Sequence, residues 1–131
     1  MKKRGILNAE LSKLIAEMGH KDKLVICDCG LPIPQDSNRV DLALTPGIPK
    51  FMEVLTATLK DTVVEKAIMA EEIKEVSPEL LKKIEEVIGD IPVEYYSHEQ
   101  FKELTHEAKG IVRSGEVIPY ANIILVSGVD F

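Results

Sequence analysis

Strand-like and helix-like segments alternate along the 131 residues, which predicts an α/β domain. The expected architecture has three α/β/α layers around a mixed or mainly parallel sheet, with residues 1–131 forming a single domain. Two observations carry this reading. Ala121-Asn122-Ile123-Ile124-Leu125-Val126 is a near-continuous apolar run, as a strand covered on both faces requires. Residues 23–28 contain a second such run, Leu24-Val25-Ile26-Cys27, and helical periodicities separate these strands from others. A chain of this length buries roughly two-thirds of its unfolded surface, enough for a core of its own.

The elements follow in order. Asn8 is placed to cap a first helix whose Leu11, Leu14, Ile15 and Met18 recur at i, i+3, i+4 and i+7. Gly19 is expected to end that helix in the left-handed conformation. After the strand at 23–28, Gly30, Pro32 and Pro34 enforce a loop to about residue 38. Residues 41–44 suggest a short extended piece, and residues 48–60 a second helix with Phe51, Met52, Leu55 and Leu59 on one face. Residues 62–70 mix β-branched residues with charges and read as a strand. Ser77 and Pro78 open a third helix as cap and first position, with Leu80, Leu81, Ile84, Val87 and Ile88 inward and Gly89 as its stop. Residues 93–96 form a strand, and Ser97 with Gln100 makes a capping box for a fourth helix to about residue 109. A short strand at 111–113 precedes the apolar strand at 121–126.

Composition narrows the function classes. Twenty-two acidic residues against sixteen basic ones give a net charge of -6. Phosphate binding needs a basic face, so nucleic-acid and anionic-membrane partners are not expected. No apolar stretch approaches the ~18 residues of a membrane helix, and no secretory apolar region follows Arg4, so a cytoplasmic protein is expected. Cys27 and Cys29 lack the spacing of a zinc pair and read as reduced thiols. Neither a metal-ligand cluster, a phosphate-cradling glycine loop nor a nucleophile elbow is present, so a site without metal or cofactor is expected.

Three histidines remain as titrating groups. His20 lies just past a helix, while Asp28 closes the strand that follows, where ligands collect in open α/β sheets. A carboxylate beside an imidazole would suit proton transfer on a small polar molecule. Asp28 has a competing structural use, bracing the Gly30-Leu31-Pro32 loop. His98 opens a helix next to a loop, whereas His106 sits among Glu103, Glu107 and Lys109 on a solvated face. Pro119-Tyr120-Ala121-Asn122 is either a strand-entry turn or a set of phenol, amide and backbone groups for binding hydroxyls.

Taken together, these segments resemble the ribose pyranase and fucose mutarotase family, with the ribose branch the more similar. The likeness runs through Gly5-Ile6-Leu7-Asn8, Gly19-His20, Asp28 and Gly30-Leu31-Pro32-Ile33-Pro34. It continues through Asp41-Leu42-Ala43-Leu44-Thr45-Pro46-Gly47, Ala70-Glu71-Glu72-Ile73, His98, Arg113-Ser114-Gly115-Glu116 and Pro119-Tyr120-Ala121-Asn122. The resemblance implies a cytoplasmic enzyme that interconverts pyranose and furanose forms of D-ribose. His20 would be its proton donor, and Asp28, His98, Tyr120, Ala121 and Asn122 would hold the sugar. It also implies a homo-oligomer, a decamer of two stacked pentameric rings; an apolar end at Phe131 would suit burial against a neighbour. The chain departs from the family at Lys21, where threonine is expected, and at Cys29, where alanine is usual. A non-catalytic sugar-binding accessory and a fucose-type mutarotase are the alternatives.

Overall fold

The computed structural model describes residues 1–131. Its elements are α1 (Ala9–Glu17), β1 (Lys23–Cys27), β2 (Arg39–Asp41), α2 (Phe51–Asp61), β3 (Val64–Ala70), α3 (Ile73–Val76), α4 (Pro78–Ile88), β4 (Val93–Tyr96), α5 (His98–Leu104), a 3-10 turn (Thr105–Glu107), β5 (Gly110–Arg113) and β6 (Ile123–Ser127). The strands form one sheet in the order β2-β5-β1-β6-β3-β4. Five strands run in one direction; β6 lies antiparallel between β1 and β3. The sheet is therefore mixed, within the α/β class expected.

Alternation along the strands divides the core. Leu24 and Ile26, Ala67 and Met69, and Ile123 and Leu125 face one side, where Leu11 and Leu14 of α1, Phe51 and Leu55 of α2 and Leu80 and Ile84 of α4 cover them. Val25 and Cys27, Ile68 and Ala70, and Ile124 and Val126 face the other, under Phe101 of α5 and Leu31 of the proline-rich loop. The three layers are thus unequal: four helices back one face and a single seven-residue helix the other.

Several boundaries differ from the sequence reading. Gly19 is not left-handed; Lys21, at φ 73°, takes that conformation instead. The Gly19 N–H is held by the Asp22 carboxylate at 2.7 Å, and the α1 end is closed by the Met18 N–H on the Ile15 carbonyl. The expected extended piece at 41–44 lies earlier, as β2, because residues 44–48 fold into a turn bonded Leu44 to Ile48. α2 begins at Phe51, where the buried Glu116 carboxylate accepts the Phe51 N–H at 3.2 Å from outside the helix. Ser77 makes no side-chain cap; its hydroxyl donates to the Pro119 carbonyl at 2.7 Å. The one-turn α3 was not legible, Val87 is exposed, and α5 gives way to the 3-10 turn after Leu104. Ala121 and Asn122 belong to the turn before β6. The capping box of Ser97 and Gln100, the Asn8 cap and the positive-φ Gly89 stop are as expected.

Candidate active site

The strand directions create one edge at which the carboxyl ends of five strands meet the amino end of β6. Asp28 follows β1 there, Glu71 and Glu72 follow β3, Ser97 and His98 follow β4, and Tyr120-Ala121-Asn122 enter β6. No sequence-local pattern joins these segments; the single antiparallel strand does.

Asp28 and Asn122 form a reciprocal pair. The Asp28 N–H donates to Asn122 Oδ1 at 3.0 Å, and Asn122 Nδ2 donates to Asp28 Oδ2 at 3.2 Å. The other carboxylate oxygen accepts the Gly30 N–H at 2.9 Å, so bracing the loop and presenting a carboxylate are one arrangement rather than alternatives. Burial raises the Asp28 carboxyl above its ordinary value, against the opposing pull of the Gly30 N–H, Asn122, the Leu31 N–H and the nearby His98. Asn122 and Ala121 are fully buried, and Ala121 is the pivot of a tight turn in which the Asn122 N–H donates to the Tyr120 carbonyl at 2.8 Å. Tyr120 itself has φ 62°, an uncommon conformation for an aromatic residue.

His98 is held from three sides. It occupies the first turn of α5, and its N–H donates to both oxygens of Glu72, at 3.1 and 3.0 Å. Its ring stands edge-on to the Tyr120 ring, with centroids 5.0 Å apart. Its Nδ1 is buried and has no hydrogen-bond partner. Such a group is costly to leave unpaired, and a hydroxyl of a bound molecule would satisfy it. Asp28, His98, Tyr120, Ala121 and Asn122 are thus brought together.

His20 is not among them. It lies before β1, and Asp28 lies after it, so roughly 16 Å of strand at about 3.3 Å per residue separates them. The expected pairing of the Asp28 carboxylate with the His20 imidazole is absent within one chain. The carboxylate that does meet His20 is Glu65, at the start of β3, with Nε2 to Oε2 at 3.1 Å. Lys21 pairs with the other Glu65 oxygen. Lys21 first, then His20, hold Glu65 below the ordinary carboxylate value. Glu65 carried no local sequence signal, and Glu72 stood out only within the Ala70-Glu71-Glu72-Ile73 likeness; their contacts to His20 and His98 emerge only across the fold. His106 is exposed in the 3-10 turn.

Cys27 and Cys29 are free, and burial pushes the Cys27 thiol up to about 12, leaving it inert. No helix is long and apolar enough to cross a membrane. No cluster of three or more His, Cys, Asp or Glu side chains is arranged to hold a metal ion.

Comparison with known proteins supplies the lineage. Residues 1–130 match the RbsD / FucU transport protein family. The chain belongs to this family. A relative from Actinobacillus succinogenes, the D-ribose pyranase, is 57% identical over the full length of both chains. The structure of Bacillus subtilis RbsD complexed with D-ribose is 47% identical, covers both chains completely and superposes with a TM-score of 0.96. The fucose mutarotase of Streptococcus pneumoniae, in complex with L-fucose, is 25% identical over 95% of each chain, with a TM-score of 0.83. Members of this family thus share the fold across different sugars.

Proposed function

We propose that this chain is a D-ribose pyranase, an isomerase that interconverts the pyranose and furanose rings of D-ribose, with residues 1–131 acting as one domain. The observation that carries the reading is the unpartnered, buried Nδ1 of His98 set among Asp28, Tyr120 and Asn122. This is a set of hydroxyl-binding groups at a strand-end cleft. The 57% identity to a D-ribose pyranase and the 47% identity to a ribose complex favour ribose over fucose, whose mutarotase is 25% identical.

The chemistry asks little beyond positioning and one proton carrier. Ring opening removes the proton from the anomeric hydroxyl, breaks the bond from C1 to the ring oxygen and returns a proton to that oxygen. The freed aldehyde is then attacked by a different hydroxyl, which closes the other ring. Asp28, His98, Tyr120, Ala121 and Asn122 hold the sugar, and His20 moves the proton. Such acid–base assistance is worth roughly 10²–10⁴-fold, appropriate for a reaction that also proceeds in water. No metal or cofactor takes part.

Because His20 sits at the opposite end of β1 from the binding cluster, a complete site requires two copies of the chain. A contact between unlike ends of identical subunits is heterologous and closes into a ring when the rotation allows. Exposed Leu44, Ile48, Val117 and Ile118 near the binding edge suit such burial. The assembly proposed is a decamer of two stacked pentameric rings, working in the cytoplasm in ribose catabolism. Exchange spectroscopy on D-ribose by NMR tests the reading. Wild-type protein accelerates pyranose–furanose exchange and His20→Ala returns it to the uncatalysed rate. Ribose binding without acceleration by the wild type would instead favour a sugar-binding accessory.

A further inference from the structure

The end of the molecule that carries His20 is more elaborately built than an exposed histidine needs. β3 and β6 pair Val64 with Ser127 and then Lys66 with Val126, so β3 advances two residues while β6 advances one. Glu65 is the extra residue of this β-bulge. A bulge re-aims the side chain it carries and concentrates near functional sites. Here the bulged carboxylate is delivered to His20, at 3.1 Å.

The histidine's own turn is fixed to the same strand. The Lys21 N–H donates to the Ser127 carbonyl at 2.9 Å, and the Ser127 N–H donates to the Asp22 carbonyl at 2.8 Å. The Gly128 N–H then bonds the Val63 carbonyl at 2.9 Å, on the other side of the bulge. Gly128 also leaves room for it, since a Cβ there would stand 3.3 Å from Glu65 Cβ. The end of β6 therefore ties the His20 turn and the Glu65 bulge into one unit. The charged groups facing His20 are Glu65 and Lys21; Asp22 is turned onto the Gly19 N–H and Lys109 Nζ.

The geometry points to Glu65 as the positioning residue of His20, fixing the imidazole through Nε2 so that Nδ1 is the atom that exchanges a proton with the sugar. This rests on the proposed role of His20 as proton carrier. A carboxylate on one ring nitrogen sets the tautomer and orientation of the other, the logic by which outer partners of histidine operate. In the neutral ring, Nε2–H donates to Glu65 and the Nδ1 lone pair takes the proton of the anomeric hydroxyl. Nδ1–H then returns that proton to the ring oxygen, so the imidazole ends unchanged. Glu65 touches no substrate. Lys21 and then His20 favour its ionised form, in which both oxygens accept and Nε2–H has a charged partner.

Long-range ¹H–¹⁵N spectra of the assembled, histidine-labelled protein read the tautomer directly. The wild type should show neutral His20 with the proton on Nε2, and Glu65→Ala should lose that preference. In ribose exchange, Glu65→Ala should lower kcat about 10- to 100-fold while KM stays within about twofold. Glu65→Gln keeps an acceptor for Nε2–H, so it should preserve the tautomer and retain more activity than the alanine variant; it also serves if the alanine variant fails to assemble. A wild-type His20 protonated at Nδ1 overturns the inference. So does unchanged kcat in Glu65→Ala when His20→Ala is inactive. Full exchange in His20→Ala removes the role of His20 itself, and the Glu65 inference falls with it.

Discussion

Two inactive variants should restore activity when their subunits are mixed. His20→Ala removes the proposed proton carrier and leaves the proposed binding cluster intact. His98→Ala removes the ring whose Nδ1 awaits a partner, and its backbone N–H keeps its bonds to Glu72. Neither change should threaten folding. The His98 ring gives up its edge contact with Tyr120, worth roughly 0.5–1.5 kcal/mol against a typical stability of about 5–15. His20 is exposed, and Glu65 retains Lys21 after its loss.

The magnitude follows from geometry. Proton transfer needs heavy atoms within about 2.6–3.2 Å, and roughly 16 Å of strand lies between the His20 turn and Asp28. On the proposed roles, each working site would then draw His20 from a neighbour. After random co-assembly of equal amounts, about one site in four pairs an intact cluster from the His20→Ala chain with an intact His20 from the His98→Ala chain. The two variants are denatured together, refolded and assayed by NMR exchange. About a quarter of wild-type acceleration is expected from the mixture and essentially none from either variant alone. A mixture as inactive as its components, with mixed assemblies verified by native mass spectrometry, would refute the shared site.

Two further outcomes bear on the cluster. Asp28→Asn should weaken ribose binding in calorimetry by roughly 1.5–3 kcal/mol, the worth of a hydrogen bond to a charged group. Because burial raises the Asp28 carboxyl, wild-type affinity should start to fall on acidification at a higher pH than an ordinary aspartate would give, and the Asn variant should lose that dependence. The sign for stability is the reverse: ionised Asp28 costs stability at neutral pH, and the cost disappears as pH falls through the folded value toward the unfolded one. Exhaustive chelation should leave exchange unchanged, and recovery of lost activity by an added metal would contradict the proton-transfer mechanism.

Most of the fold was legible because its signals are local. The Asn8 cap, the Ser97 and Gln100 box and the apolar β6 run each speak through neighbouring residues. The misplacements arise where a distant group decides. α2 begins at Phe51 because Glu116, far along the chain, receives its N–H, and Ser77 gives up a cap for the Pro119 carbonyl. Gly19 offered a left-handed residue on propensity alone, yet bonding to the end of β6 assigns that conformation to Lys21. The same limit governs the site. Asp28, His98, Tyr120, Ala121 and Asn122 were each conspicuous, but their convergence depends on β6 running against its neighbours.

That reversed strand is also what separates the two halves of the proposed chemistry. β6 enters at the binding edge with Asn122 paired to Asp28 and leaves at the other edge with Ser127 bonded to the His20 turn. One buried five-residue strand thus holds the proposed hydroxyl-binding groups at one end and the proposed proton carrier at the other, with both ends pinned by hydrogen bonds. A rigid core of this kind cannot bend the two ends together, since packed interiors transmit strain rather than absorb it. In the proposed mechanism, closing the distance therefore falls to assembly, in which the His20 end of one copy would meet the Asp28 end of the next. A site shared in this proposed way would be only as populated as the ring, so its activity would belong to the oligomer and not to the folded chain alone.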